Sequence, residues 1–543
     1  MRVFTALAAS LVLVTIGLLA HGARQSALAD DGQLGTVHFE TSCSSAAQPQ
    51  FDRALALLHS FEFGQAISAF GATLKTDPGC GIAYWGIALS RWGNPFAPGQ
   101  VPAGQLRAGA DAVARARNAG LTSERERAYV DAVEKLFAAF ESKSQVERLE
   151  AYEQAMAGLA AAYPEDREAT IFYALALAAS APPSDKTYAK QLKAGAILEK
   201  MFAEQPNHPG LAHYIIHAYD VPPLAPKALG AARRYARIAP DAPHALHMPS
   251  HTFTRLGLWQ ESIDTNRASA ATARRQHETS EELHAMDYQV YACLQTGQDR
   301  AAKEVVDGLA TVVARLDRGA VESAAPARAA VFAVAAIPAR WALERRQWGE
   351  AAALVPHPGD YPFTEALTHF AIALGAAHAG DLAKARQSIG ALVALHTALE
   401  RAREPYWAEQ VDIQRRGAQA WLALAEGRTN QAVAIMQEAA TLEDATEKSA
   451  ITPGPLVPAR ELLGEMLLQM NRPSEAERAF AATLEREPHR FRAVYGVARA
   501  ARLAGHLAVA REHYDALLKM CERADPAGRP ELAEARQFVM SAK

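Results

Sequence analysis

Five of the chain's 18 histidines fall between Leu211 and His251, as His213-Tyr-Ile-Ile-His217 and His244-Ala-Leu-His247-Met-Pro-Ser-His251. Two histidines four apart on a helix stand on one face, within reach of one metal ion, which is the spacing that helical zinc sites use. The two such pairs are themselves 34 residues apart, His213 to His247 and His217 to His251. Further on, His284 and Asp287 add an imidazole and a carboxylate. An all-nitrogen and oxygen set without thiolate suits Zn(II), Cu(II) or Fe(II) and does not choose among them. Six imidazoles exceed what one tetrahedral ion needs, so a dinuclear site and a mononuclear site with spare acid/base groups both stand. In the second case His244, His284 and Asp287 are the candidates for moving protons. Neutral imidazole is the ligand form, so metal uptake is expected to fall as the pH drops through about 6.5.

The elements that must hold these residues are helical and repeated. Half of the 543 residues are hydrophobic and 21% are charged, a globular composition. A period near 34 runs through the chain, with a small residue at position 8, Ala at 20, an aromatic or large apolar residue at 24 and Pro at 32. Starting at Val457 these places hold Gly464, Ala476, Phe480 and Pro488; starting at Phe491, Ala498, Ala510 and Tyr514; starting at Ala47, Ala54, Ala66, Phe70 and Pro78. Weaker copies begin near Pro209, Pro243, Leu283, Ala366 and Ile413, with Gly257, Gly297, Gly380 and Gly427 at the turns. From about 95 to 200 and from 310 to 360 only amphipathic helical periodicity persists. This grammar resembles the tetratricopeptide-repeat superfamily over most of the chain. The resemblance implies an all-α solenoid, a right-handed superhelix of helix-turn-helix repeats that share one core. It also implies that positions 2, 5, 9, 12 and 13 face a concave groove. His213 and His247 fall at position 5, His217 and His251 at position 9, His244 and His284 at position 2, Asp287 at 5 and Tyr291 at 9. Asp220, at position 12, is a candidate acceptor behind the ligands.

Other residues have plainer readings beside the chemical one. Pro249, between His247 and His251, removes a backbone donor and must kink or delay that helix. His59 and Glu62 sit at the turn of the first repeat and join the site only if the solenoid curls inward. Trp85 and Trp92 make a groove floor or simply pack, and Glu365 with His369 is equally a helix contact. Pro-rich breaks at 356–359 and 452–455 suggest bends. The organisation expected is a signal peptide over 1–29, a strap over 30–46, a solenoid with the histidine groove over 47–355 and a second solenoid over 356–543.

Met1-Arg2, the apolar run Phe4 to Ala20 and Ala27-Leu28-Ala29 read as a secretory signal cut before Asp30, so a periplasmic or secreted protein is expected. No later stretch is long and apolar enough to span a membrane. The remaining chain has 54 basic and 60 acidic residues without a basic patch, against nucleic-acid binding. Of four cysteines, Cys43 and Cys80 flank the first helical hairpin of the repeat reading and are expected to bridge. No phosphate loop, dinucleotide fingerprint or nucleophile elbow occurs. The functional expectation is an exported binding protein whose histidine-lined groove holds a transition-metal ion, or a ligand through it. The alternatives are a metalloenzyme with an open coordination position, a metal-dependent hydrolase or oxidoreductase, and a metal-free adaptor that takes a protein or small molecule in the groove.

Overall fold

The computed structural model of the chain describes residues 32–97, 99–319, 324–526 and 528–541, and the expected signal peptide lies outside them. Residues Gln33–Lys543 form one compact unit. Among the described residues the regular elements are all helices, and each packs on its successor in the chain, the connectivity of an all-α solenoid.

The repeat grammar has a direct packing cause. Phe480, on helix Pro473–Arg486, lies so close to Gly464 and Gly496 that a Cβ at either would come within 2.8 Å and 2.5 Å of its ring. Phe70, on helix Phe63–Thr76, lies on Gly86 in the same way. Phe70 and Gly86 are as far apart in sequence as Phe480 and Gly496, so one aromatic seats itself against the next repeat at both ends of the array. The turn glycines Gly257, Gly297, Gly380 and Gly427 all have φ between 66° and 82°, the left-handed region where a Cβ is unfavourable. Where the motif fades, helices persist, from Ala103–Asn118 to Ala189–Glu204 and at Ala327–Glu344.

Two features bring distant segments to the histidines. Helix Gln48–His59 packs on helix Pro209–Ala218, so the first repeat meets the middle of the array. The approach is close because of Gly210, where a Cβ would lie 2.4 Å from His59 Nδ1. The segment before that hairpin is non-helical; Thr36 N donates to the Asn207 carbonyl (3.0 Å) and Cys43 is bridged to Cys80 with a Cα separation of 4.8 Å.

The Pro-rich break at 452–455 is held in place from beneath. Arg340 donates to Asp287, to Thr452 Oγ1 and to the carbonyls of Gly454 and Pro455. Tyr288 donates to the carbonyls of Ala450 and Thr452. Trp85 and Trp92 are buried in the N-terminal core rather than lining a groove, and Glu365 and His369 meet along one helix at 3.5 Å.

Candidate metal centre

The histidines converge, but inside the protein rather than on a groove wall. His213, His217, His244, His247, His251 and His284 are all at most 7% exposed. Helix Pro209–Ala218 supplies the first two. Pro249 divides the next histidine-bearing stretch into helices Pro243–His247 and Pro249–Arg255, joined through Met248 in right-handed helical conformation. The break leaves the pair together: the Nε2 atoms of His247 and His251 are 3.1 Å apart. Helix Thr279–Gln295 brings His284, with ring centroids 4.4 Å from His247.

The six rings sort into two triads. His213, His217 and His244 each offer one nitrogen within 4.8 Å of the others, and so do His247, His251 and His284. The triads adjoin, with the rings of His244 and His247 5.9 Å apart and those of His217 and His251 6.2 Å apart.

Hydrogen bonds behind the rings fix which nitrogen carries the proton, because the partners are acceptors. His213 Nδ1–H donates to the His59 carbonyl (2.7 Å). His251 Nδ1–H donates to Asp220 Oδ2 (2.9 Å). His247 Nδ1–H donates to Asn266 Oδ1 (2.7 Å), an amide oriented by its own NH2 donating to the Ser262 carbonyl. His244 Nδ1 is held by Glu281 Oε1 at 3.2 Å. In each of the first three rings the lone pair is therefore on Nε2, and the Nε2 atoms of His213, His217 and His244 make no hydrogen bond despite full burial. Inward-facing lone pairs backed by an acceptor on the other nitrogen are what a metal-ligating imidazole presents.

Burial sets the electrostatics. It lowers His213, His217, His244 and His284 well below the ordinary imidazole pKa, reinforced by neighbouring imidazoles, and pushes His247 down to about 3. His251 is lowered by burial too, against the opposing pull of Asp220. Burial would raise Asp220, yet Lys448, Arg255 and His251 hold it well below the carboxylate range, an anion behind His251.

A third group, His59, Glu168 and His208, has ligand-type atoms equally close, but its nitrogens are already committed. His208 Nδ1 accepts from the Leu211 amide, so its Nε2–H donates to Glu168 (2.9 Å), and His59 Nε2 takes the other carboxylate oxygen (2.9 Å). This is a buried hydrogen-bond network that fixes His59, whose carbonyl fixes His213.

Asp287 does not join the imidazoles. Buried against Arg340, with 2.7 Å between Oδ1 and Nε, its carboxylate is occupied by the guanidinium that carries segment 452–455. Tyr291, expected beside the histidines, meets Glu487 and Arg490 instead. Glu62 does reach the site, accepting the His244 amide at 3.1 Å. The spacing gave no sign of Glu168, His208 or Asn266. Glu281, three residues before His284 on one helix face, was discernible, and so was Tyr288, whose ring lies 4.8 Å from that of His247.

A small cavity touches both triads, lined by His217, His244, His251 and His284 and closed by Ala324, Ala325 and Ile451. None of the helices is long and apolar enough to cross a membrane, among the described residues.

Residues 462–529 match the tetratricopeptide repeat family model. That stretch of the chain therefore carries tetratricopeptide repeats. No curated protein sequence matches it. Among solved structures it is similar to a human IFIT1 dimer with m7Gppp-AAAA, at 12% identity over 90% of this chain and 97% of that one, with a TM-score of 0.36. The Cut9–Hcn1 hetero-tetramer of the APC/C is similar at 11% identity over 91% and 90%, with a TM-score of 0.33.

Proposed function

We propose that this tetratricopeptide-repeat protein holds a pair of transition-metal ions, one on His213, His217 and His244 and the other on His247, His251 and His284. The observation that carries the reading is the set of buried imidazole nitrogens without donors, with four of the six rings, His213, His244, His247 and His251, backed by a carbonyl, amide or carboxylate that fixes the ring. Leaving such acceptors unpaired in a dry interior is unfavourable by about 1–3 kcal/mol each, and a borderline cation on each triad would relieve them. Neutral imidazoles bring no charge, so Asp220 and Glu281 are the nearest anionic compensation. The apolar leader and the Cys43–Cys80 bridge support export to an oxidising compartment as the setting.

The cavity against the triads favours a catalytic reading over storage. Three protein ligands per ion is the count of open rather than closed sites, and the cavity touches rings from both triads. In that reading the two triads would hold the ions, bound metal would supply activation of a small molecule, and the chain holds the rings and excludes bulk water.

Metal analysis of tag-free protein loaded separately with zinc, copper and iron tests this. Two ions per chain are expected for at least one metal. Replacing His213 and His217 by Ala should leave no more than one, as should replacing His247 and His251, with helical content intact by circular dichroism. No stoichiometric uptake of any metal, or unchanged uptake in both double variants, overturns the proposal.

A further inference from the structure

A second cavity, separate from the imidazoles, opens among the C-terminal helices. Its walls come from helices Ala327–Glu344, Pro362–Ala379 and Pro405–Ala425 and from the connector after Ala445. Phe332, Phe363, Phe370, Tyr406 and Trp407 line it, with Phe363 and Trp407 stacked at 3.9 Å. Aromatic faces at this density favour a planar or ring-bearing guest.

The polar atoms in the same lining are incompletely used. Trp407 is 3% exposed, yet its Nε1–H has no hydrogen-bond partner. The Lys448 side chain is 5% exposed and reaches Asp220 only at an ion-pair distance of 3.5 Å. An ammonium has three donors, so at least two are left over. Gln414 Oε1 and Glu447 Oε2 are buried acceptors without a hydrogen bond, although Glu447 Oε2 also lies 3.7 Å from Arg486. Two donors and two acceptors thus belong to residues of the aromatic lining, and buried polar groups are ordinarily paired.

We propose that this cavity binds a small aromatic zwitterion, an aromatic amino acid or a close relative. The ring packs on the Trp407 wall, the carboxylate accepts from Lys448 and Trp407 Nε1–H, and the ammonium donates to Glu447 and Gln414. None of these residues belongs to either triad, although Lys448 also meets Asp220 behind His251, so metal content is measured beside ligand binding in every Lys448 variant.

Calorimetric titration with L-phenylalanine, 3-phenylpropionate and phenethylamine tests it, on chelator-stripped and metal-loaded protein alike. Phenylalanine should bind at one per chain with or without metal, and more tightly than either analogue that lacks one charge. Lys448→Met should weaken phenylalanine and 3-phenylpropionate about tenfold or more while sparing phenethylamine, the loss expected for a hydrogen bond to a charged group. Trp407→Phe, which removes the Nε1–H donor and keeps one aromatic ring, should weaken phenylalanine and 3-phenylpropionate while sparing phenethylamine, in protein of unchanged helical content. Absence of saturable phenylalanine binding, equal binding of a singly charged analogue, or indifference to both substitutions would overturn the assignment. Phenylalanine bound by protein that takes up no metal would retain this proposal while the metal proposal fails.

Discussion

His247 and His251 turn their Nε2 lone pairs on one another at 3.1 Å, since each Nδ1 gives its proton to an oxygen. Two acceptors at that distance repel unless a cation lies with them, and burial makes a proton a poor choice, with His247 pushed down to about 3. The lowered pKa values reverse the simple expectation that metal uptake fades through about pH 6.5. Buried rings stay neutral below that value, so uptake should persist further into acid. Folding carries the opposite consequence. Between the lowered folded pKa and the unfolded value near 6.5, the unfolded chain binds more protons, so stability is full above about 6.5 and falls as the pH drops beneath it, by about 1.4 kcal/mol per pH unit for each such ring. Thermal melts of metal-free protein should therefore steepen downward below about pH 6.5, with bound metal shifting the fall to lower pH. A melting temperature flat across that range in metal-free protein would contradict the burial argument. Asp220 acts on the same ring from outside. Asp220→Asn keeps the shape and removes the anion behind His251, which should weaken metal affinity about 10- to 100-fold, as losses behind a ligand do. Competition against a chelator of known affinity measures it, and unchanged affinity would remove Asp220 from the site.

At the scale of elements, the repeat period made much of this arrangement legible. The 34-residue offset that equates His213 with His247 and His217 with His251 is a statement about stacked helices, and the structure stacks them. Positive φ at Gly257, Gly297, Gly380 and Gly427 likewise makes four expected turns real. What the period could not convey is curvature. A groove-facing position is exposed only while the groove stays open, and here helix Gln48–His59 lies against helix Pro209–Ala218, with Ala324, Ala325 and Ile451 closing over the other side. Asp287 was misplaced for a related reason: register put it at a groove position, but a buried Arg340 from a stretch with no recognisable motif claims it. Glu168 and Asn266 come from elements whose contact with the histidines is set by the same long-range packing. Gly210 is the element-scale test. A methyl there meets His59 Nδ1 at 2.4 Å and His208 Cε1 at 3.1 Å, both rings fixed by Glu168. Gly210→Ala should destabilise by about 1–3 kcal/mol through overpacking, despite the better helix propensity of Ala, and should lower metal affinity by shifting the His59 carbonyl off His213. A variant as stable as the parent and equally avid for metal would show that the two helices are free to separate.

For the whole molecule, the imidazoles depend on a hairpin that contributes none of them. His59 gives its carbonyl to His213 and Glu62 accepts the His244 amide, so the first repeat must stay docked for the triads to keep their orientation. That repeat is also a terminal one, with a neighbour on one side in the chain, and end repeats open most readily in a solenoid. The Cys43–Cys80 bridge closes the hairpin at its base, spanning 37 residues of sequence. By loop-closure entropy a cross-link of that span restricts the unfolded chain by about 4 kcal/mol, a gain placed where local opening would begin. Replacing both cysteines by Ser should lower the melting temperature. It should also speed the transfer of bound metal to an external chelator, because opening of the first repeat releases the backs of His213 and His244 together. The expected pattern is faster metal loss at temperatures well below the melting transition, with the bound stoichiometry unchanged at the start. Equal transfer rates in the parent and the Cys43→Ser/Cys80→Ser variant would mean that metal leaves without the first repeat undocking, and would separate the stability of the hairpin from the integrity of the site.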